Sequence, residues 1–375
     1  MPSLAACLLF FAVSQSALGE NVAVWIGMGS PQNGETAGIY RAMLDQETGK
    51  LEPPQLAVEV AEPEFLAIRS DGKCLYAACR LPGGEAGIAA FEITADDKSL
   101  RHFNSQSLGG GAACHVALDP TSRCLFSAQY GDGTIATFPL AEAGSIEPRA
   151  ALIKHTGAGP DKARQESPHP HSVNPAAKNN FLLVPDLGTD EIVIYRTDPE
   201  TGSVEKHGHG NSPPGGGPRH MTFSPNGKFA YVANEMGLSV TVFKYDSQAG
   251  ALESIQTIPT LPKELRIPAS NCSEIRMHPS GRFLYVANRV HDSITVFSVD
   301  PEGGKLSFIE AIPAHGEHPR NFNLDPTGKW LLAAGRDSNS ISVFKIDQDN
   351  GRLEYTGQTV NSPSPICILF QPQTY

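Results

Sequence analysis

The sequence repeats itself seven times at intervals of about 50 residues. The clearest copies are GPRHMTFSPNGKFAYVANE (217–235), CSEIRMHPSGRFLYVANR (272–289) and HPRNFNLDPTGKWLLAAGR (318–336). When all copies are aligned on their first strand, the residues in register lie 46 to 57 positions apart, and they are Glu64, Cys114, His171, Arg219, Ser273, Arg320 and Ile366. Self-similarity at such a period is the signature of a modular fold.

A second marker of the form D-x-x-x-G-x-L gives the same count. Clear copies begin at Asp45, Asp198, Asp246, Asp300 and Asp347, and degenerate copies begin at Thr94 and Leu140. The spacing superficially resembles a calcium loop, but the other ligands of such a loop are absent. We therefore expect a Gly-containing hairpin turn at each copy.

Each unit contains four β-rich segments that are separated by turn residues, for example FAYVAN after Asn226-Gly227. Four-stranded units repeated around an axis form a β-propeller. The chain opens with three strands of a unit (NVAVWIG, GIYRAML and KLEPPQLA) and ends with a lone first strand, PICILF. We predict an all-β, seven-bladed propeller over residues 20–375, closed by pairing of the N-terminal strands with the C-terminal strand.

Composition excludes several classes of protein. The chain has 36 Gly, 30 Pro, 40% hydrophobic residues and 18% charged residues, which argues against a collagen, a disordered chain and a long helical bundle. The formal net charge is −11, and no block of Lys or Arg occurs, so we expect no nucleic-acid partner. An acidic protein that binds an anion needs a local group of arginines.

Residues 1–19 read as a secretory signal peptide. They carry no charged side chain, contain an apolar stretch over 4–13, and end in Ala17-Leu18-Gly19 before Glu20. A misassigned start and an uncleaved anchor are the alternatives. Cleavage predicts an exported protein, periplasmic or extracellular, that is not membrane-bound afterwards, and we expect it to be a monomer.

Cleavage would also remove Cys7 and leave six cysteines, for which 15 complete disulfide pairings exist. Cys74 and Cys124 stand where other copies carry Phe229 and Phe283. We therefore interpret these two as small buried residues rather than halves of a disulfide.

Functional residues are expected where the repeat is broken. First strands line the central channel of a propeller, so the seven residues in register become neighbours at one mouth. A second ring, at the ends of the second strands, contains Arg80, Tyr130, Leu187, Glu235, Arg289 and Arg336. Ionisable side chains replace scaffold residues at these positions, which favours a site containing His171, Arg219, Glu235 and Arg289. The alternative is a set of solvated ion pairs at the channel mouth.

The longest connection between repeat units, 157–172, brings Arg164, His169 and His171 to the same mouth. His207 and His209 belong to a fourth-strand hairpin, so the two histidine pairs should not meet. We therefore expect neither a metal nor another cofactor.

Several of these segments together resemble a known family, the seven-bladed β-propeller lactonases of the 6-phosphogluconolactonase type, which include the fungal carboxymuconate-lactonizing enzymes. The motifs that carry the likeness are RQESPHPHSV (164–173), PDLGTDEIVIY (185–195), 217–235, SEIRMHPSGRFLYVANRVHDSI (273–294) and PRNFNLDPTGKWLLAAGRDSNSISVF (319–344). The resemblance implies a catalytic His, Arg, Glu and second Arg, which correspond by motif to His171, Arg219, Glu235 and Arg289.

The predicted function is accordingly that of a carboxylic-ester hydrolase that opens a sugar-acid lactone. His171, titrating near neutrality, would take a proton from water, and Glu235 would orient the imidazole or hold the water. Arg219 and Arg289 would bind the anion and the developing oxyanion, with Arg164, His169 and Arg320 as further substrate contacts. Two alternatives remain open: a non-catalytic propeller that binds a protein or glycan, and a cycloisomerase that forms a lactone with the same residues.

Overall fold

The computed structural model describes residues 21–30, 34–94, 99–177 and 180–372. These residues form seven antiparallel sheets of four strands each, which confirms the predicted seven-bladed all-β propeller. The predicted signal peptide, with Cys7, lies outside the described residues. No helix in the described part of the chain has both the length and the apolar character needed to cross a membrane.

The blades take their strands in chain order, except that blade 1 borrows the last strand of the chain. Blade 1 contains β1 (Asn21–Met28), β2 (Gly38–Asp45) and β3 (Gln55–Glu59), and blade 2 contains β4 (Ala61–Ile68), β5 (Cys74–Arg80), β6 (Ala86–Ile93) and β7 (Leu100–Ser107). Blade 3 contains β8 (His115–Leu118), β9 (Cys124–Gln129), β10 (Thr134–Pro139) and β11 (Ala151–Lys154), and blade 4 contains β12 (Asn174–Pro175), β13 (Phe181–Asp186), β14 (Glu191–Asp198) and β15 (Ser203–Asn211).

The second half of the ring is more regular. Blade 5 contains β16 (Pro218–Phe223), β17 (Phe229–Asn234), β18 (Ser239–Asp246) and β19 (Ala251–Pro259). After a 3₁₀ turn (Lys263–Leu265), blade 6 contains β20 (Asn271–Met277), β21 (Phe283–Arg289), β22 (Ser293–Val299) and β23 (Leu306–Pro313). Blade 7 contains β24 (Pro319–Leu324), β25 (Trp330–Gly335), β26 (Ser340–Ile346) and β27 (Leu353–Asn361), and the final strand is β28 (Pro365–Phe370).

The two ends of the chain close the ring as predicted. β28 pairs antiparallel with β1, with Val24 opposite Phe370 and Ile26 opposite Ile368, and supplies the innermost strand of blade 1. The third strand differs from the expected KLEPPQLA segment, because β3 begins only at Gln55. Pro53 and Pro54 have no backbone N–H for the sheet, which explains the later start.

The D-x-x-x-G copies form the expected hairpin turns, and these turns also join neighbouring blades. In blade 6 the N–H of Gly304 donates to the carbonyl of Asp300 at 2.8 Å, with a φ of 69° at the glycine. A Cβ on Gly304 would lie 2.4 Å from the ring of Phe229 in blade 5, and the Tyr231 hydroxyl donates to the Gly304 carbonyl. The turn therefore requires glycine for its φ and for its close packing.

The six cysteines of the described chain are all free, so the question of their pairing is settled for these residues. Cys74 and Cys124 are buried, as their position in the repeat predicted. Burial raises the pKa of the Cys124 thiol to about 12, which keeps it protonated at neutral pH.

Candidate active site at the channel mouth

Glu235 is the centre of a buried ionic cluster at the end of β17. One carboxylate oxygen lies 3.0 Å from Nε of Arg219 and 2.8 Å from Nη2 of Arg289, and the other accepts a hydrogen bond of 2.9 Å from Nη2 of Arg164. The side chain of Glu235 is only 6% exposed. Burial opposes ionisation of this carboxyl group, but Arg289 and Arg219 outweigh it and hold the pKa of Glu235 well below its usual range.

The two buried arginines come from different blades and are fixed by backbone carbonyls. Arg219, on β16, donates to the carbonyl of Ser273 at 2.8 Å, and Arg289, at the end of β21, donates to the carbonyl of Cys272 at 3.3 Å. Burial, together with Arg320 and Arg289, lowers the pKa of Arg219 to about 9. Arg219 therefore keeps its charge at neutral pH.

The cluster carries more positive than negative charge. Four guanidinium groups, of Arg164, Arg219, Arg289 and Arg320, lie near only two carboxyl groups, of which Glu235 is bonded to three arginines and Glu64 acts on Arg320 at longer range. Burial, followed by the charge of Arg289, lowers the pKa of Arg320. This excess fits the local anion site that an acidic protein needs.

His171 lies beside this cluster, in the connection before β12, with its N–H bonded to the carbonyl of Pro185. Its ring contacts the rings of Tyr130 and His220 at centroid distances of 5.3 and 5.4 Å, and its Nδ1 lies 3.7 Å from the Cys114 thiol. Burial and the charge of Arg219 lower the pKa of His171 well below its usual value.

The expectation that His171 titrates near neutrality is therefore wrong, because burial and the neighbouring arginine charge both lower the pKa of its imidazole. The structure also differs from the expectation that Glu235 orients this imidazole, since the hydrogen bonds described for the Glu235 carboxylate go to arginine side chains. At physiological pH His171 is a neutral imidazole.

The long connection 157–172 is attached to the scaffold by two buried aspartates. Asp186 accepts the N–H of His169 at 2.7 Å and also bonds Nδ1 of His155, whose Nε2 meets the Tyr195 hydroxyl. Asp190 accepts a hydrogen bond of 2.7 Å from the Gln165 side chain.

These bonds hold the connection over blade 4. The ring of His169 stacks on Tyr130 at 4.4 Å, and its Nδ1 lies 2.9 Å from the Tyr130 carbonyl oxygen. The loop thus brings Arg164 and His171 to the mouth, as expected, while His169 also takes part in attaching the loop.

Two arginines of the second ring do not join the cluster. Arg80 pairs with Glu62 at 2.9 Å, and Arg336 pairs with Asp337 at 2.6 Å. Both pairs are partly exposed, so at these positions the alternative of solvated ion pairs holds.

The two histidine pairs lie apart, as predicted. His207 and His209 belong to the outer strand β15, where His207 bonds the carbonyl of Ala249. Within the described ranges, no group of three His, Cys, Asp or Glu side chains has the geometry to hold a metal ion.

A second polar layer lies one residue deeper in the channel, and the sequence analysis missed it. Nδ1 of His220 lies 3.2 Å from both carboxylate oxygens of Glu274, which also accept bonds from the Asn321 side chain at 2.5 Å and from the N–H of Ile275 at 3.0 Å. The sequence does contain a sign of this layer, because the residues that directly follow the seven aligned ring residues also differ between the repeat copies. They are Phe65, His115, Ser172, His220, Glu274, Asn321 and Cys367.

The two layers enclose a small cavity on the channel axis, of about 10 Å³, which we call the axial cavity. Its walls are ring residues and two side chains of the deeper layer: Glu64, Cys114, Arg219, Arg320 and Ile366, with Phe65 and His220. A larger, mostly apolar cavity of about 400 Å³ lies between blades 1 and 2, near Val58 and Phe91, outside the ionic cluster.

Comparison with known proteins places this geometry in context. A family model described as the seven-bladed β-propeller lactonase matches residues 24–370. The 6-phosphogluconolactonase of Bacillus subtilis is 34% identical over 343 residues, covering 92% of this chain and 97% of the relative. The 6-phosphogluconolactonase of Formosa agariphila is 32% identical over 294 residues, covering 77% and 82% respectively.

A solved structure of a lactonase also has a similar fold over nearly the whole chain. The periplasmic gluconolactonase of Pseudomonas aeruginosa superposes with a TM-score of 0.87 at 28% identity, covering 94% of this chain and 99% of that one.

Proposed function

Because the chain belongs to the seven-bladed β-propeller lactonase family, we propose that it hydrolyses the ring ester of a small anionic lactone. The observation that carries the proposal is the arginine cluster at the channel mouth, where Arg219 and Arg289 converge on the single buried carboxylate of Glu235. A cluster with excess positive charge favours a ligand that brings negative charge. The lactone class is drawn from the names of the relatives, of which two are 6-phosphogluconolactonases.

In this proposal Arg219 and Arg289 stabilise the negative charge that develops on the carbonyl oxygen as water attacks. Glu235 holds their guanidinium groups in fixed positions, since it is bonded to both. Arg164 and Arg320 bind the phosphate or carboxylate of the substrate, and His169 lines the rim beside them. Fixed donors of this kind need no reorganisation at the moment of reaction.

Lactone opening also needs two proton transfers, one from the attacking water and one to the departing ring oxygen. In the simplest version one imidazole, His171, performs both. Its low pKa supports the first transfer in one respect, because the ring is neutral at physiological pH and can accept a proton. It also makes His171 a weaker base than an unperturbed histidine.

The proposal is tested by following acid release in a pH-stat. The purified chain is supplied with phosphorylated sugar lactones, plain sugar lactones and muconolactone-type compounds. We expect release above background for at least one phosphorylated or carboxylated lactone, and slower release for uncharged analogues. No release on any compound would overturn the proposal and favour the binding-module alternative. Formation of a lactone from the open acid would favour the cycloisomerase.

We further propose that the chain is exported after removal of residues 1–19, which the apolar, uncharged character of that segment supports. N-terminal sequencing of the protein purified from its native source should begin at Glu20. An intact Met1 in the functional protein would contradict this.

A further inference from the structure

Three polar groups around the axial cavity have no close partner among the described residues. Nε2 of His220 is buried and forms no hydrogen bond there. The side chains of Glu64 and Arg320 likewise form no hydrogen bond or close ion pair with the described residues, and they attract one another only at longer range. The cavity thus presents acceptors from Glu64 and His220 and a donor from Arg320.

The cavity has the size and chemistry to hold one water molecule. Its volume of about 10 Å³ is close to the smallest cavity that can hold a single water molecule. A buried water is typically held by two to four polar partners. Arg320 can donate to such a water, while Glu64 and Nε2 of His220 can each accept one of its hydrogens.

His220 lines that space, and its Nδ1 lies next to a carboxylate. Its side chain is 4% exposed, and its Nδ1 lies 3.2 Å from the Glu274 carboxylate, whose side chain is 2% exposed. A carboxylate at Nδ1 places the ring proton there, leaving the lone pair on Nε2. The same carboxylate stabilises the imidazolium that forms when Nε2 accepts a proton.

His171 lacks such a carboxylate partner within the described structure. The neighbour of its Nδ1 is the Cys114 thiol, whose pKa burial raises to about 12. A neutral thiol gives an imidazolium little stabilisation compared with a carboxylate. Burial, followed by the charge of Arg219, lowers the pKa of both imidazoles, so the feature that distinguishes His220 is the carboxylate at its Nδ1, which leaves the lone pair on Nε2.

We propose that a water molecule in the axial cavity is the nucleophile and that His220, positioned by Glu274, is the base that activates it. This inference rests on the proposed lactone hydrolysis and moves both of its proton transfers from His171 to His220. A proton passes from the water to Nε2 while the water oxygen bonds to the carbonyl carbon. The bond between that carbon and the ring oxygen then breaks, and the ring oxygen receives the proton from Nε2. The sum is one water added across one ester bond.

The kinetic test compares His220→Gln and Glu274→Gln with the matched control His115→Gln. His115 occupies the same layer, is buried and contacts the ring of His220, but no carboxylate is bonded to it in the described structure. For His220→Gln we expect kcat to fall about 10²–10⁴-fold with KM changed only a few-fold.

Glu274→Gln should lower kcat by up to about 10⁴-fold, because the carboxylate that fixes the tautomer of the catalytic imidazole is lost. His115→Gln should stay within about three-fold of wild type. A kcat for His220→Gln or Glu274→Gln within three-fold of wild type would overturn the inference.

A structural arm keeps the inference testable if His220→Gln does not fold. The ¹⁵N shifts of His220 in the wild-type chain should report a proton on Nδ1 and a free Nε2, and an atomic-resolution crystal structure should show a water within 3.2 Å of Nε2. A proton on Nε2, or a dry cavity, would overturn the inference while leaving lactone hydrolysis intact. A wild-type chain that hydrolyses no lactone would instead overturn the proposed function and, with it, the catalytic role of His220.

Discussion

The outer turns of the blades and the channel ring use the same repeat in opposite ways. At the outer turns the repeat is kept: Gly49, Gly250, Gly304 and Gly351 all have positive φ, and each packs against an aromatic ring of the preceding blade. At the channel ring the repeat is broken, and Arg219 in blade 5 corresponds to Ser273 in blade 6 and Arg320 in blade 7. Positions at which the copies carry the same residue build the scaffold, whereas positions at which the copies differ bring charged side chains together.

The two regions also differ in what the loss of one residue should do. A scaffold position acts through packing, so its replacement should lower stability and leave the chemistry of the surviving folded protein unchanged. A ring position acts through charge and hydrogen bonding at one mouth, so its replacement should change turnover.

The largest effect in this comparison is expected at His171. His171→Gln removes the imidazole that performs both proton transfers in the simplest version of the proposed function, and that version predicts a fall in turnover of about 10²–10⁴-fold, whereas a base at His220 predicts a smaller fall. His102→Gln, on the outer strand β7, is the matched control and should leave turnover unchanged. Both are measured as acid release on the substrate identified in the pH-stat. Full activity in the His171 variant would remove this residue from the site.

The next effect concerns the ionic cluster. Glu235→Gln removes the charge that compensates Arg219 and Arg289, and breaking a buried pair in this way costs about 3–5 kcal/mol of unfolding free energy. Glu62→Gln, at the exposed pair with Arg80, should cost less than about 1 kcal/mol. Urea denaturation at pH 7 measures both variants. Equal losses would mean that the cluster is no more than a surface ion pair.

The same variant predicts a pH dependence. The pKa of Glu235 is held below its usual value in the folded state, so its stabilising contribution is fully present above the unfolded pKa of about 4.3. That contribution is lost as the pH falls toward the lower folded value. The stability gap between wild type and Glu235→Gln should therefore be constant from pH 7 to about 5 and narrow below about pH 4. A gap that widens on acidification would contradict the depressed pKa.

The smallest expected effect is a difference in stability between alanine variants of two scaffold glycines. Gly304→Ala places a Cβ 2.4 Å from Phe229 at a φ of 69°, and we expect it to cost about 2–4 kcal/mol through backbone strain and overpacking. Gly227→Ala has a similar φ of 71° but nothing within 4 Å, so only the strain of about 1 kcal/mol remains. Thermal unfolding of the two variants gives the difference. Identical melting temperatures would show that the contact with Phe229 is easily relieved.

The sequence predicted what depends on repetition. Blade number, ring closure by PICILF and the glycine turns follow from the period, and the register correctly grouped Arg219 and Glu235 with Arg289, which lies in the next blade. These features depend on backbone position, which a repeat reports directly.

The sequence did not predict what depends on side-chain direction and burial. Arg80 and Arg289 share one repeat position, yet the first turns to Glu62 and the second to Glu235. The low pKa of His171 follows from burial beside Arg219, which spacing alone does not show. The pair of His220 and Glu274 was missed because each of these residues directly follows a member of the aligned ring, and only the aligned residues themselves were compared between copies.

Arg289 and Arg80 give the most direct test of the central claim that the broken ring positions around Glu235 form a lactonase site. Acid release is measured for wild type, Arg289→Gln and Arg80→Gln on the same lactone. We predict that Arg289→Gln lowers kcat/KM by about 10²-fold or more, as for the loss of one oxyanion donor, and that Arg80→Gln stays within a few-fold of wild type. Equal activities of the two variants would contradict the claim.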